Sequence, residues 1–241
     1  MSYPGYYETE AVRYDRSRGG DARAEAAARA VRELLPEDAD LVLDVAGGTG
    51  IVGSKLNRTV FSVDRSPAMS AISATRLPGR VLIADATSLP IRGETLDAVS
   101  TIWLLHLLPD AAPVIAEAAR VLRPGGTLVT TVHKSEAHYT TPDDVGELLG
   151  PRYRPSGTDS LATVTELAGR HGCTLTGRTT FTGLGQGRGP GQWQRYLVGP
   201  TNGWVDRDDV GELVDRLAAL PDQDRRRADP EFTVAAFTKR G

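Results

Sequence analysis

The chain has 241 residues, 40% hydrophobic and 24% charged, with a formal net charge of −3 at pH 7, enough for one sizeable core and without the basic stripe of a nucleic-acid binder. One cysteine, Cys173, excludes an intramolecular disulfide and a cysteine-based zinc cluster, and no His/Asp/Glu spacing suggests a metal site. No apolar run reaches membrane-spanning length and the N-terminus lacks an apolar leader core, so a cytoplasmic protein without a membrane partner is expected.

Residues 1–20, aromatic, polar and glycine-ended, read as an extended arm. "DARAEAAARAVRELLP" then reads as a helix, capped by Asp21, with an apolar stripe at Ala27, Ala30, Val31 and Leu34, and stopped by Pro36. Five short apolar runs follow: "LVLDV" (41–45), "VFSVD" (60–64), "VLIAD" (81–85), "LDAVSTIW" (96–103) and "GTLVTTVH" (126–133). Near-continuous apolar strands suit a parallel sheet buried on both faces. Between the last two lies "DAAPVIAEAARVLRPGG", helical in spacing at Val114, Ile115, Ala118 and Leu122 and ended by Gly125 and Gly126. Strand–helix alternation of this kind predicts a doubly wound α/β fold.

The rest of the chain reads differently. "LATVTELAGRHG" is a helix and "TLTGRTTFTG" a strand; a glycine-rich loop (183–192) and a polar helical region to about Leu220 follow, and "EFTVAAFTKR" closes the chain. The two terminal strands predict an antiparallel pair on the edge of an otherwise parallel sheet of seven strands. No internal repeat and no second domain is evident. The division expected is an N-terminal cap (1–36), a cofactor-binding core (37–133), and acceptor-side insertions at 134–160 and 183–220.

"LVLDVAGGTGIVG" contains Gly48-x-Gly50-x-x-Gly53, which reads literally as a dinucleotide fingerprint. Asp44 sits at the mouth of the same loop. A pyrophosphate there would meet a like charge, which costs several kcal/mol at about 4 Å and intermediate dielectric. A ligand with ammonium and sulfonium groups would be attracted instead, as S-adenosylmethionine would be. Asp64, at the end of the second strand, is placed for ribose hydroxyls.

From Tyr6 to His133 the sequence resembles the class I S-adenosylmethionine-dependent methyltransferases, in the small-molecule group. "VLDVAGGTG" resembles their first motif, with Ala46 where glycine is more usual, followed by Gly47, Gly48 and Gly50. "VDRSPAM" resembles the acidic second-strand motif, implying that Asp64 and Arg65 lie at the cofactor and that Met69 packs on adenine. "ADATSLPIRGETLDAVS" resembles the third-strand motif, implying Asp85 near the adenine amino group and Ala86 donating its amide. "LLHLLPD" and "ARVLRPGGTLV" resemble the next two signatures, with Thr101 implied at the cofactor. "YYETEAVRYDRSRGG" resembles the N-terminal cap, implying Tyr14 and Arg18 near the methionine end. The segment from Gly50 to Asp64 is short for the family, so the first crossover helix must be abbreviated. The fourth strand has Ser100-Thr101-Ile102-Trp103, not the Asn/Asp-Pro-Pro-Tyr of enzymes that methylate nucleobase or glutamine nitrogens.

The resemblance implies methyl transfer to a small metabolite, as in natural-product biosynthesis, by a monomer or homodimer with no nucleic-acid partner; oxygen, nitrogen and carbon acceptors stay open. His133 and His106 are the candidate bases for a hydroxyl acceptor, each weighed against a structural histidine. His171 at a helix end reads as structural. Tyr6, Trp103, His138, Trp193 and Tyr196 are the candidate acceptor contacts, together with Tyr3, Tyr7, Tyr139 and Trp204. Met69 is weighed against plain helix core, and Trp103 reads equally as core. The glycine-rich loop is expected to be a mobile lid. Rival readings are an NAD oxidoreductase, a tRNA or protein methyltransferase, and a methyltransferase fold redeployed as a cofactor-holding cyclase or isomerase.

Overall fold

A computed structural model describes residues 6–155, 157–199 and 205–241, with Tyr6 described by its backbone alone. Helices α1 (Tyr6–Ser17) and α2 (Gly20–Leu34) lead into β1 (Leu41–Val45), β2 (Thr59–Asp64), α3 (Pro67–Arg76), β3 (Val81–Ile83) and β4 (Leu96–Thr101). The chain continues through α4 (Ala112–Val121), β5 (Leu122–Val132), α5 (Glu136–Tyr139), α6 (Asp144–Leu149), α7 (Leu161–Arg170) and β6 (Cys173–Thr182). It ends with α8 (Pro190–Leu197), α9 (Arg207–Ala218) and β7 (Glu231–Lys239).

The seven strands form one sheet in the order β3-β2-β1-β4-β5-β7-β6. Strands β1 to β5 pair in parallel, and β7 inserts antiparallel between β5 and β6. The expected doubly wound sheet with an antiparallel terminal strand is therefore the observed fold. Alternation along the strands divides the core: Leu43, Val99 and Leu128 face α4 and α7, while Val42, Ala98 and Val129 face α2. A third apolar cluster lies outside the sheet, where Tyr139, Leu149, Trp193, Leu197 and Leu213 tie α5, α6, α8 and α9 together. Among the described residues, no helix is long and apolar enough to cross a membrane.

Three local expectations change. The arm is helical: α1 lays Tyr7, Ala11 and Tyr14 along one face, Ala11 is buried, and Arg18 in the turn that follows lies over the Tyr14 ring (5.7 Å). Carboxylates anchor it, with Glu8 accepting from Ser66 Oγ (2.5 Å) and Asp15 from Arg76 (2.8 Å) and Thr49 Oγ1 (2.6 Å). Asp21 does not cap α2; the N-cap is Gly19, in a left-handed conformation, and Asp21 lies in the first turn. Helix α4 ends at Val121, before its glycines, because Leu122 turns into β5 and pairs with Leu96. The first crossover is indeed abbreviated, to a single 3-10 turn at Gly53–Lys55.

Sheet order reverses between β1 and β4, which opens a crevice at the carboxyl edge of the strands. The three central strands all leave that edge through a left-handed non-glycine residue: Ala46 (φ 54°) after β1, Trp103 (φ 61°) after β4 and His133 (φ 53°) after β5.

Candidate functional site

A cavity of about 420 Å³ fills the crevice, in the range of small-molecule sites. The loop after β1 forms one wall. Gly48 adopts φ 57°, and a Cβ there would meet no protein atom within 4 Å, so this edge of the loop stands open to a ligand. Asp64 fixes the loop from β2: Oδ2 accepts from the Gly48 amide (2.9 Å) and Oδ1 from the Ser66 amide (2.8 Å). Each carboxylate oxygen has a second lone pair, and Asp64 lines the cavity. Burial raises its pKa above the usual carboxylate value.

Asp44 is placed differently from the sequence expectation. Its carboxylate is 2% exposed and lies beneath the loop, not open at the mouth. Oδ1 accepts from Ser100 Oγ (2.7 Å), while Oδ2 lies where side chains at Gly47 or Gly53 would intrude. Burial raises its pKa to about 6, against the opposing hydrogen bond from Ser100. It thus braces the glycine turn and places a negative charge in the cavity wall.

Met69 is buried against the same cavity, with its amide capped by Ser66 (3.2 Å). Asp85, Ala86 and Arg65 line it too, and Asp85 Oδ1 accepts from the amide and hydroxyl of Thr87 (2.8 and 2.6 Å). Tyr14 and Ala46 complete the expected wall. Three expected contacts, Gly50, Thr101 and Arg18, fall elsewhere. Gly50 is absent from the wall and packs on Ser73 of α3, and Thr101 is buried with its hydroxyl unpartnered among the described residues.

Sequence reasoning missed Arg23. It is 4% exposed on the alanine face of α2, lines the cavity, and stacks 3.9 Å from the Trp103 ring centre. Its Nε has no partner among the described residues, and burial lowers its pKa to about 10. The signal was present: Arg23 is four residues before Ala27, on the stripe that had to be buried.

A second cavity of about 320 Å³ adjoins α1 and the glycine-rich loop, lined by Arg18, His138, Arg188, Tyr196 and Arg226 among others. Arg18 therefore faces this cavity and is absent from the walls of the first. Arg188 lies over the rings of Trp193 (4.9 Å) and Tyr196 (4.7 Å). Trp193 itself is buried between Tyr139 and Tyr196 and lines neither cavity, so it supports Arg188 from behind. Trp103 lines the first cavity. Tyr3, Trp204 and the Tyr6 side chain lie outside the described residues.

Both proposed bases are corrected. His133 is committed at both nitrogens: Nδ1 bonds Glu136 Oε2 (2.8 Å) and Nε2 accepts from the Leu161 amide (3.0 Å). It splices β5 to α7 and has no free lone pair for a substrate proton. His106 is buried, its Nδ1 is unpartnered among the described residues, and it lines neither cavity. His138 does face the second cavity; burial first, then Lys134, Arg188 and Arg18, holds its pKa well below the usual histidine value.

Residues 43–130 match the methyltransferase domain family. The matched core is similar to the class I S-adenosylmethionine-dependent methyltransferase domain. An uncharacterized methyltransferase of Mycobacterium bovis is 34% identical over 125 residues, which is 50% of this chain and 51% of that one. The aligned stretch is thus about half the length of that curated relative. The methyltransferase fold is matched along nearly the whole chain by a chain from the Haloferax volcanii complex of the Trm112 methyltransferase activator and a methyltransferase. That chain has a TM-score of 0.61 and 19% identity, with 98% of each chain covered. The cyclase SpnF shares the fold at TM-score 0.55 and 20% identity, over 90% of this chain and 81% of that one.

Proposed function

We propose that the protein binds S-adenosylmethionine in the first cavity and transfers its methyl group to a small metabolite of a natural-product pathway. The carrying observation is Asp64, which holds the open Gly48 turn and still offers lone pairs to a ribose diol. In this reading Met69 and Ala86 flank the adenine, Asp85 receives its amino group, and Asp44 supplies negative charge toward the ammonium and sulfonium end. Arg23, buried with an unpartnered Nε, takes the methionine carboxylate. The cofactor supplies a methyl group already bonded to a good leaving group. The protein's part is alignment of the acceptor, which can supply several kcal/mol. His138, neutral at the second cavity, is the histidine placed to accept a proton from a hydroxyl acceptor.

Calorimetry against S-adenosylhomocysteine and NAD tests the first step; binding of NAD alone rejects the reading. Asp64→Ala is expected to weaken S-adenosylhomocysteine by about 1.5–3 kcal/mol through loss of charged hydrogen bonds, plus a share from the freed Gly48 turn. The shared fold with a cyclase favours one second reading, in which the cofactor is held without methyl transfer. Labelled S-adenosylmethionine incubated with cell extract separates the two, since only a transferase passes the label to another molecule.

A further inference from the structure

Four cations converge on the space between α1, α2 and the glycine-rich loop: Arg18, Arg23, Lys134 and Arg188. Their charges act on one another, and the neutral His138 and His106 sit within their field. The two nearby carboxylates make their hydrogen bonds and ion pairs with other groups. Asp15 engages Arg76 and Thr49, and Asp159 accepts from the backbone amide of Lys134 (2.8 Å). Among the described residues, no carboxylate lies within 4.0 Å of Arg23, Lys134 or Arg188. The remaining residues, 1–5, 156 and 200–204, contain no Asp or Glu at all.

Gathering like charges in a partly desolvated space is unfavourable unless an anion joins them. One carboxylate of the cofactor, at Arg23, leaves Arg188 without a carboxylate partner among the described residues. Arg188 is not simply stranded there. Its guanidinium is held over Trp193 and Tyr196, and the loop carrying it is fixed by Asp229, which accepts from the Gly185 (3.0 Å) and Gly187 (2.6 Å) amides. Arg226, by contrast, is consumed by the Gly185 and Gly187 carbonyls. A held, unpaired guanidinium in a cavity wall is the donor that a planar or tetrahedral oxyanion uses.

We infer that the second cavity takes the acceptor by an oxyanion, a carboxylate or a phosphate, bound by Arg188 and Arg18 with Lys134 behind them. Tyr196 then lies beside the organic part of the molecule, and His138 faces it from α5. The inference rests on the methyltransferase reading only in naming this ligand the acceptor; the anion site stands on its own residues.

Calorimetric titrations with benzoate and phenyl phosphate, beside their neutral counterparts benzamide and benzyl alcohol, test it on the free protein and on protein saturated with S-adenosylhomocysteine. The anions should bind at least about ten-fold more tightly than the neutral probes. Arg188→Gln should abolish that preference and Arg188→Lys keep part of it, while affinity for S-adenosylhomocysteine stays. The stronger of benzoate and phenyl phosphate identifies the oxyanion. If Arg188→Gln does not fold, Lys134→Gln reads the same preference. Equal binding of charged and neutral probes, no binding of any probe, or an unchanged preference in a folded variant overturns the inference. Failure to bind S-adenosylhomocysteine with the anion preference intact overturns the cofactor reading alone.

Discussion

At the scale of single residues, the acids at the ends of β1 and β2 have divided their work. Asp64 holds backbone amides and faces the cavity; Asp44 is buried beneath the turn with a pKa raised to about 6. Between the unfolded value near 3.8 and this one, the folded chain binds more protons, so Asp44's contribution to stability is lost as pH rises through about 6. Asp44→Asn is expected to raise stability at pH 7.5 by up to about 3 kcal/mol, two pKa units at 1.4 kcal/mol each, with little change at pH 4. Urea denaturation at both pH values checks this; a variant less stable than the parent at pH 7.5 refutes it. The same variant should bind S-adenosylmethionine more weakly, so stability is given up for affinity. Asp64, Met69, Asp85, Gly47 and Gly48 were legible as residues of the cavity wall because their motif fixes type and spacing together. Arg23 was not, because an arginine among alanines reads as a solvated edge until the helix has a partner. His133 misled because its place at a strand end is shared by catalytic and structural histidines, and only the positions of Glu136 and the Leu161 amide separate them.

At the scale of elements, the short apolar strands were legible from hydropathy alone, and α1 was not. Its inward face mixes aromatic rings with a single alanine, so no apolar period stands out, and its anchors are carboxylates reaching residues 34 to 61 positions away. The glycine-rich loop shows the converse. Its glycines suggest freedom, yet a Cβ at Gly187 would strike the Arg227 and Ala228 carbonyls, and one at Gly189 the Gln223 and Arg225 carbonyls. They permit close packing of one strand of chain on another, and Asp229 ties down two of the amides. The Gly185 and Gly187 amides are therefore expected to be protected from hydrogen exchange in the ligand-free protein. Asp229→Ala should remove that protection, and rapid exchange in the parent would restore the mobile lid.

At the scale of the whole molecule, a net charge of −3 conceals a half-buried cationic cluster. Bulk charge cannot report a cluster assembled from the turn after α1, from α2, the turn after β5 and the loop before α8. Lys134 carries the clearest signature. Arg18, Arg23, Arg188, His106 and His138 face it on the positive or neutral side and Asp159 on the negative; burial, then the arginines, lowers its pKa to about 7. An anion joining the cluster favours the charged ammonium. At pH 8, binding of benzoate or phenyl phosphate should take up close to one proton, and affinity should fall as pH rises from about 7. Titrations in buffers of differing ionisation heat measure the uptake, and Lys134→Met should eliminate it. Uptake that persists in that variant assigns the proton elsewhere.

The left-handed exits at Ala46, Trp103 and His133 also set what heredity can do with this edge of the sheet. Each residue holds a conformation that disfavours side chains in general and β-branched ones most, while glycine, asparagine and aspartate enter it readily. In a saturation library selected only for soluble folded protein, valine, isoleucine and threonine should vanish first at these three positions. At the first of them, glycine and asparagine should rise above the parental Ala46. The rim of the crevice would then be conservative in backbone while remaining free to vary in chemistry, so that new acceptors could arise by changing side chains above a floor that drifts little.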